Sequence, residues 1–260
     1  MKNGISIIIP TYKADKYLDL CINSIIKGYD NNIPIEIIPV IDGTYETNKW
    51  VLHKWSNNIR PVILQENMGQ SVATNHGVYQ SSYNNVFISN DDNVFPKDWS
   101  TNLIIDYNSN IDVMTPNQIE PSDSMFKQFI KHDFGKTIDE FNINKFYEIE
   151  ISMRKDKIDE CGSTLPYLIS KYNFLKTGGW DERYPSGNVV DWECMLKYQL
   201  CGLKMKRTYR CNFYHFTSIS FKSEEKIKEQ QKQELEGFEY FKYKWGAYPK
   251  HDPVTNLKSL

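Results

Sequence analysis

The chain has 260 residues, a formal net charge of −2 at pH 7, and 40% apolar against 25% charged residues. This length and composition are typical of a globular protein with ample core, and the near-neutral charge argues against nucleic acid or an anionic membrane as the main partner. No apolar run approaches the roughly 18 residues of a membrane-spanning helix, which argues against an integral membrane segment.

No signal-peptide pattern precedes the first apolar run, and the five cysteines include no Cys-x-x-Cys pair. Cysteines in this arrangement are typical of reduced thiols that behave as small core residues. We therefore expect a cytoplasmic protein without a zinc site.

From the amino terminus, short apolar runs alternate with segments whose apolar residues recur at helical spacing. This alternation, at intervals of about 25 to 30 residues, predicts a mostly parallel α/β sheet flanked by helices. The pattern predicts helices that begin at caps on Asp15 and Asp98. The predicted strands of this half are Ile5–Pro10, Ile35–Ile41, Pro61–Leu64 and Val86–Ile88.

Polar side chains follow each of these strands at its carboxyl end, where parallel sheets bind their ligands. They are Thr11, Tyr12, Asp42, Asn67, Asp91 and Asp92. The adjacent carboxylates of Asp91 and Asp92 repel each other unless a hard divalent cation, shared with phosphate oxygens, lies between them. The pattern indicates a nucleotide-type site, with an Asp-rich turn as the alternative for this segment.

Beyond Trp99 the pattern is less regular, and residues 116–159 are predicted to form irregular, substrate-facing loops. Within them the alternating run Tyr147–Met153 predicts a strand with one exposed face. Further strands are predicted at Leu165–Ser170 and Met205–Tyr214, with a helix between them. Residues 221–260 are predicted to form a charged helix and an aromatic tail that pack on the fold.

Several motifs occur in order along the first half of the chain. They are Ser6-Ile-Ile-Ile-Pro-Thr-Tyr12, Asp42-Gly43-Thr44, Asn67-x-Gly69, Ala73-x-Asn75-x-Gly77 and Asn90-Asp91-Asp92. Together they resemble the nucleotide loop, the Asp-Gly-Ser turn, the Asn-x-Gly and Ala-Arg-Asn-x-Gly segments and the D-x-D motif of the inverting family 2 glycosyltransferases of the GT-A fold. The sequence departs from that family at four positions, namely Ile41, Thr74, Asn90 and Val190.

The resemblance continues through the second half and spans nearly the whole chain. Gly178-Gly-Trp-Asp-Glu182 is similar to the family's Gly-Gly-Phe-Asp-Glu acceptor loop. Asp191 falls on the catalytic Asp of its Glu-Asp motif, and His215 resembles the late His that can complete the metal site.

The resemblance implies a single GT-A-type domain with a Rossmann-like sheet. Residues 1–115 would form the nucleotide-sugar half, 116–220 an acceptor-binding and catalytic half that continues the sheet, and 221–260 the C-terminal helix and tail. It implies Mn²⁺ or Mg²⁺ at Asp92 and His215, with Asp191 as general base. The implied binding residues are Pro10, Thr11, Tyr12, Asp42, Asn67, Asn75 and Asp91 for the nucleotide, and Trp180 and Asp181 for the acceptor.

Several of these residues also have a purely structural interpretation. Asp42 before Gly43 can form a turn. Asp191 can have no role beyond a favourable interaction with the dipole at the start of its helix. Trp180 can pack beneath its Gly-Gly turn, and His215 can be an ordinary surface or core residue.

The expected function is metal-dependent, inverting transfer of a sugar from a nucleoside-diphosphate donor to an acceptor hydroxyl in glycan or polysaccharide synthesis. The four departures from the family motifs leave open a catalytically inactive sugar-nucleotide-binding module. A nucleotidyltransferase is less favoured, because such enzymes usually have a Gly-rich, basic phosphate loop near the first strand, whereas this chain has Pro10-Thr-Tyr-Lys-Ala14 there.

Overall fold

The first half of the chain folds as alternating strands and helices, as its apolar pattern predicts. The computed structural model describes residues 2–107, 110–124, 127–160, 165–185, 187–216, 224–251 and 258–260. The elements of the first half are β1 (Lys2–Thr11), α1 (Asp15–Gly28), β2 (Ile35–Asp42), α2 (Tyr45–Lys54), β3 (Val62–Leu64), α3 (Gln70–Gln80) and β4 (Tyr83–Ile88).

The second half adds shorter elements and ends in one long helix. They are β5 (Asn93–Val94), α4 (Trp99–Ile104), β6 (Val113–Glu120), β7 (Ile130–Lys131), α5 (Ile143–Met153), β8 (Ile158–Glu160), β9 (Tyr167–Ser170), α6 (Lys171–Lys176), α7 (Gly187–Leu200), β10 (Met205–His215) and α8 (Glu224–Trp245). The small strands β11 (Lys250–His251) and β12 (Lys258–Ser259) pair with each other.

Among the residues described, the central sheet has ten strands, with β3-β2-β1-β4-β9-β6-β10-β5 along its main path, β7 paired with β6, and β8 paired with β10. Strand β9 runs antiparallel to both β4 and β6, while β1, β2, β3, β4, β6 and β10 share one direction. The predicted mostly parallel α/β sheet is confirmed. The sheet is continuous across the proposed boundary at residue 115, which falls inside β6.

Helices cover both faces of the sheet, so the inner strands are buried on each side. Successive residues of a strand point to opposite faces. Accordingly, Ile7 packs in the cluster that contains Leu18 and Ile22 of α1, whereas Ile8 packs in the cluster that contains residues of α7 and Phe241 of α8. Burial of these side chains stabilises the fold by about 1.5–3 kcal/mol each.

The segment Tyr147–Met153 is helical, so the predicted exposed-face strand is wrong. It belongs to α5, whose N-cap Asn142 accepts a hydrogen bond from the Lys145 backbone N–H at 2.9 Å. Phe146, Tyr147 and Glu150 are buried at helical spacing. The prediction of irregular loops also fails for residues 116–120, which continue β6 in the middle of the sheet.

Neither predicted aspartate cap forms a capping hydrogen bond. Asp98 precedes α4 but adopts a left-handed conformation with φ of 53°. The start of α4 is instead capped by Asp30, which accepts hydrogen bonds from the Ser100 hydroxyl and, at 3.1 Å, from the Thr101 backbone N–H. Asp15 begins α1 and accepts the Trp50 indole N–H at 2.6 Å.

The remaining predictions concern the thiols and the membrane. Cys21, Cys194, Cys201 and Cys211 are free, while Cys161 lies outside the described residues. Within the described ranges, every helix is too short or too polar to cross a bilayer.

Candidate active site

Polar side chains from five strands converge at one edge of the sheet. Because β1, β2, β4, β6 and β10 run in the same direction, their carboxyl ends lie together. The residues at or just beyond these ends are Thr11, Asp42, Asp91, Asp92, Glu120 and His215. This edge is the position at which open α/β sheets bind ligands.

Asp42, at the end of β2, organises the loop that leads into α3. Its Oδ1 accepts the Met68 backbone N–H at 2.6 Å, and its Oδ2 accepts the Gly69 N–H at 2.9 Å. Gly69 has φ of 89°, which a residue with a side chain adopts only with strain. Asp42 is therefore a structural anchor of the loop as well as a residue of the candidate site.

Tyr12 provides an exposed aromatic ring beside this loop, with 44% of the residue accessible. Side-chain hydrogen bonds from Lys13 and Asn67 lower the pKa of Tyr12, so Asn67 lies against the phenol. Pro10 lies within β1, paired with Val40, rather than at the strand end. The ring of Tyr12 offers a surface on which a nucleobase could stack.

The acidic pair follows β4. Thr11 Oγ1 donates a hydrogen bond to Asp91 Oδ2 at 2.6 Å and joins this segment to the end of β1. Burial of its carboxyl group, followed by the neighbouring charge of Asp92, raises the pKa of Asp91 to about 7, although the bond from Thr11 opposes the rise. Burial and the neighbouring Asp92 thus disfavour the ionised form of Asp91.

The structure brings the two predicted metal residues together. His215 Nε2 lies 3.5 Å from Asp92 Oδ1, and His215 Nδ1 lies 3.1 Å from Glu120 Oε1. Burial lowers the pKa of His215, but the charges of Asp92 and Glu120 outweigh burial and raise it above its ordinary value. Strand β5 holds this corner, because Asn93 pairs with His215 in the ladder.

The donor chemistry of this pair fits a divalent cation. One carboxylate oxygen and one imidazole nitrogen suit Mn²⁺ and Mg²⁺ when phosphate oxygens and water supply the other ligands. Within the described ranges, no group of three or more His, Cys, Asp or Glu side chains is assembled to hold a metal. A cation here would therefore depend on the substrate to complete its coordination.

Asp191 is the fifth residue of α7, which begins at Gly187, so it lies just past the first turn, where the influence of the helix dipole has already weakened. Its side chain is half-buried. Gly187, at the start of α7, approaches Gln70 so closely that a β-carbon would clash with that side chain. Because Gln70 directly follows the loop held by Asp42, the start of α7 lies next to the carboxyl ends of the parallel strands.

The turn Gly178–Arg183 corrects two predicted roles. Asn75 Oδ1 accepts the Trp180 backbone N–H at 3.0 Å, and its Nδ2 donates to the Trp180 carbonyl and to Glu182. Trp180 is only 1% exposed, and its indole N–H donates to Tyr167 at 2.9 Å. Asn75 therefore holds the turn instead of facing a nucleotide, and Trp180 packs in the core where an acceptor cannot stack on it.

Asp181 is held between two cations. Its carboxylate accepts hydrogen bonds from Arg183 Nε at 2.8 Å and from Lys244 Nζ at 2.7 Å. Lys244 also contacts Glu193, a fully buried carboxylate that lies 3.5 Å from Lys197. This cluster joins the turn, α7 and α8.

Sequence reasoning missed Glu120, Glu193 and Lys244. Glu193 lies two residues after Asp191, and its placement inside an apolar helix face was a signal of a buried ion pair. Glu120 and Lys244 had no local signal, because their partners are distant in the sequence.

Residues 6–228 match the sequence profile of the family described as Glycosyl transferase family 2. Glycosyltransferase GlyA of Streptococcus pneumoniae serotype 4 is 30% identical over 154 residues, which cover 56% of this chain and 22% of GlyA. The uncharacterized glycosyltransferase YibD of Escherichia coli K12 is 31% identical over 114 residues, covering 43% of this chain and 33% of YibD. The matched regions are no more than a third of either relative.

Solved structures share the fold. The crystal structure of S. aureus TarS 1–349 superposes with a TM-score of 0.59 at 14% identity, covering 82% of this chain and 60% of that one. The same protein in complex with UDP gives a TM-score of 0.57 at 15% identity, covering 81% and 60%. At these identities the similarity establishes the fold alone, and that fold is of the GT-A type.

Proposed function

The chain belongs to glycosyl transferase family 2, and from that membership we propose that it is a metal-dependent, inverting enzyme that moves a sugar from a nucleoside-diphosphate donor to a hydroxyl of a glycan acceptor. The observation that carries the proposal is the 3.5 Å approach of Asp92 and His215 at the carboxyl edge of the sheet. These residues come from distant parts of the sequence and meet beside the loop that Asp42 holds.

The donor nucleotide would lie across the ends of β1 and β2. Tyr12 offers its exposed ring for stacking, and Asn67 offers amide groups beside that ring. A protein with this fold has been crystallised with UDP, so UDP-sugars are the first donors to test. Residues 1–115 form the donor half in this proposal, and 116–220 the acceptor half.

Asp92 and His215 would hold a divalent cation, Mn²⁺ or Mg²⁺. When bound, such an ion supplies positive charge against the diphosphate leaving group. Asp91 contributes through its bond to Thr11, which fixes the acidic segment on β1.

Asp191 is the proposed general base. It would take the proton of the acceptor hydroxyl as that oxygen forms a bond to the anomeric carbon and the bond from that carbon to the phosphate oxygen breaks. Attack on the face opposite the leaving group inverts the anomeric configuration. Its support is its position near the start of α7, which lies beside Gln70 and the loop that Asp42 holds.

The test is turnover of a panel of UDP-sugars with Mn²⁺ and with EDTA, followed by detection of released UDP and sugar products by mass spectrometry. We expect donor hydrolysis, or transfer to added glycans, that needs the metal and is lost in Asp191→Asn. NMR of the product should show the inverted anomer. Binding of UDP without any turnover would identify the inactive binding module, and failure to bind any sugar nucleotide would overturn the proposal.

A further inference from the structure

His215 lies between two carboxylates, each at a different ring nitrogen. Nδ1 is 3.1 Å from Glu120 Oε1, a hydrogen-bonding distance, whereas Nε2 is 3.5 Å from Asp92 Oδ1. The Glu120 side chain is 8% exposed and the His215 side chain 21% exposed, so this arrangement is largely shielded from solvent. Glu120 therefore contacts the ring nitrogen that lies away from the candidate metal position, and this contact orients the imidazole ring.

The backbone fixes this contact through the sheet register. Strand β10 pairs with β6 so that Tyr214 lies beside Ile119, which sets His215 next to Glu120 in the following positions. The register depends on a shift between Thr208 and Asn212. Buried Glu150 supports that shift by accepting the Asn212 backbone N–H at 2.9 Å.

The geometry between Asp92 and His215 suits a shared ion. Two ligand atoms that each lie about 2.1 Å from one ion are at most about 4.2 Å apart. The observed separation of 3.5 Å between Asp92 Oδ1 and His215 Nε2 lies within that limit.

The charge of the cluster also favours a cation. Asp92 and Glu120 bring two carboxylates to the two ring nitrogens of His215. Buried carboxylates require a compensating partner. An ion at Nε2 would compensate the negative charge of Asp92 directly. It would compensate the charge of Glu120 through the imidazole, which the ion polarises.

We propose that Glu120 is a positioning residue for a divalent cation: its carboxylate accepts a hydrogen bond from Nδ1 of His215 and so orients the ring with Nε2, together with Asp92, toward one ion. This inference rests on the metal site of the proposed function and adds to it a residue beyond the ligands. The same arrangement of carboxylate, imidazole and metal raises the basicity of the ligating nitrogen and fixes the ring.

The experiment measures the affinity of the full chain for Mn²⁺ alone by EPR, which counts the free ion. Glu120→Gln preserves shape but removes the charge, and we expect about 10–100-fold weaker binding. The matched control is Glu160→Gln. Glu160 is an exposed carboxylate on β8 that forms an ion pair with Lys206 of β10, and its loss should leave Mn²⁺ affinity unchanged. Thermal melting verifies that each variant is folded, and Glu120→Asp replaces Glu120→Gln if the latter does not fold.

A double-mutant cycle separates positioning from other roles. In a His215→Ala background, Glu120→Gln should weaken Mn²⁺ binding no further, because the ring through which Glu120 acts is absent. An equal loss in both backgrounds would mean that Glu120 acts as a ligand or a general charge, and the inference would be overturned. Unchanged affinity in Glu120→Gln or in His215→Ala would also overturn it.

The outcomes distinguish this inference from the proposed function. Mn²⁺ affinity that depends on Glu120 through His215, without turnover of any sugar nucleotide, would support the inference and reject the enzyme. Sugar transfer in EDTA by a chain that binds no Mn²⁺ would reject the inference and leave a transferase.

Discussion

Lys244 Nζ lies 2.7 Å from Asp181 Oδ2 and also contacts the buried carboxylate of Glu193, so one lysine of α8 joins the Gly178–Arg183 turn to α7. Burial raises the pKa of Asp181, but the hydrogen bonds from Arg183 and Lys244 outweigh burial and hold the pKa well below its ordinary value. The folded protein therefore favours ionised Asp181, and the stability of this junction depends on pH.

Asp181→Asn should lower the free energy of unfolding at pH 7 by about 1.5–3 kcal/mol, the usual range for a hydrogen bond to a charged group. Because the folded pKa lies below the unfolded value of about 3.9, the stabilisation is complete above pH 4 and is lost as the pH falls toward the folded pKa. Urea unfolding at pH 7 and near pH 3 measures the difference. Asp123→Asn, at an exposed pair with Lys131, is the control and should change little. A loss that is equal at both pH values would contradict the assignment.

Asp191→Asn should reduce sugar transfer by about 10²–10⁴-fold, the usual effect of losing a general base. Its melting temperature and donor affinity should stay close to those of the unmodified chain, because Asp191 lies past the first turn of α7 and a helix-dipole interaction contributes at most about 0.3–1 kcal/mol. Transfer assays, calorimetry and thermal melting measure the three quantities. Asp156→Asn, at an exposed carboxylate beside Arg210, controls for loss of charge. Normal transfer by Asp191→Asn would remove this residue from the mechanism.

Asp92→Asn should weaken UDP binding in the presence of Mn²⁺ and have little effect in EDTA. The reason is that an amide oxygen carries no charge and is a weaker ligand for a hard cation than a carboxylate. Isothermal titration calorimetry with and without the metal measures this dependence. If the substitution weakens binding equally in both conditions, Asp92 contacts the nucleotide directly and the metal role is wrong.

Asp30→Ala should destabilise the protein by about 0.5–2 kcal/mol, since it removes the cap of α4 at Ser100 and Thr101. Asp98→Asn should be close to neutral, because Asp98 forms no capping bond and Asn also tolerates the left-handed conformation. Chemical unfolding of the two variants compares the positions. If Asp98→Asn were the more destabilising of the two substitutions, Asp98 and not Asp30 would be the cap of α4.

The strands and helices of the first half follow from the sequence because their apolar periods and polar strand ends are local signals. The helix α5 does not, since Tyr147–Met153 alternates apolar and polar residues as an edge strand would. There the conformation is set by tertiary burial, with Phe146 in a core cluster and Glu150 bonded to Asn212 of β10.

At the candidate site, the family resemblance predicts that Asp92 and His215 meet, and the structure brings them together because β4 and β10 end at the same edge of the sheet. The positions of Trp180 and Asn75 were not, because both depend on hydrogen bonds between α3 and a turn far along the chain. Glu120 and Lys244 depend in the same way on partners that only the folded sheet and α8 bring near.

The position of β9 between β4 and β6 has a consequence for synthesis on the ribosome. Strands β1 to β4 come from consecutive segments and can assemble as soon as they emerge, but Val86 of β4 pairs with Ile169 of β9, which is made much later. Until then the nascent chain carries an unpaired apolar strand, Val86-Phe-Ile88, at the open edge of a sheet. Such edges template intermolecular pairing, so this interval is when the chain most needs a chaperone.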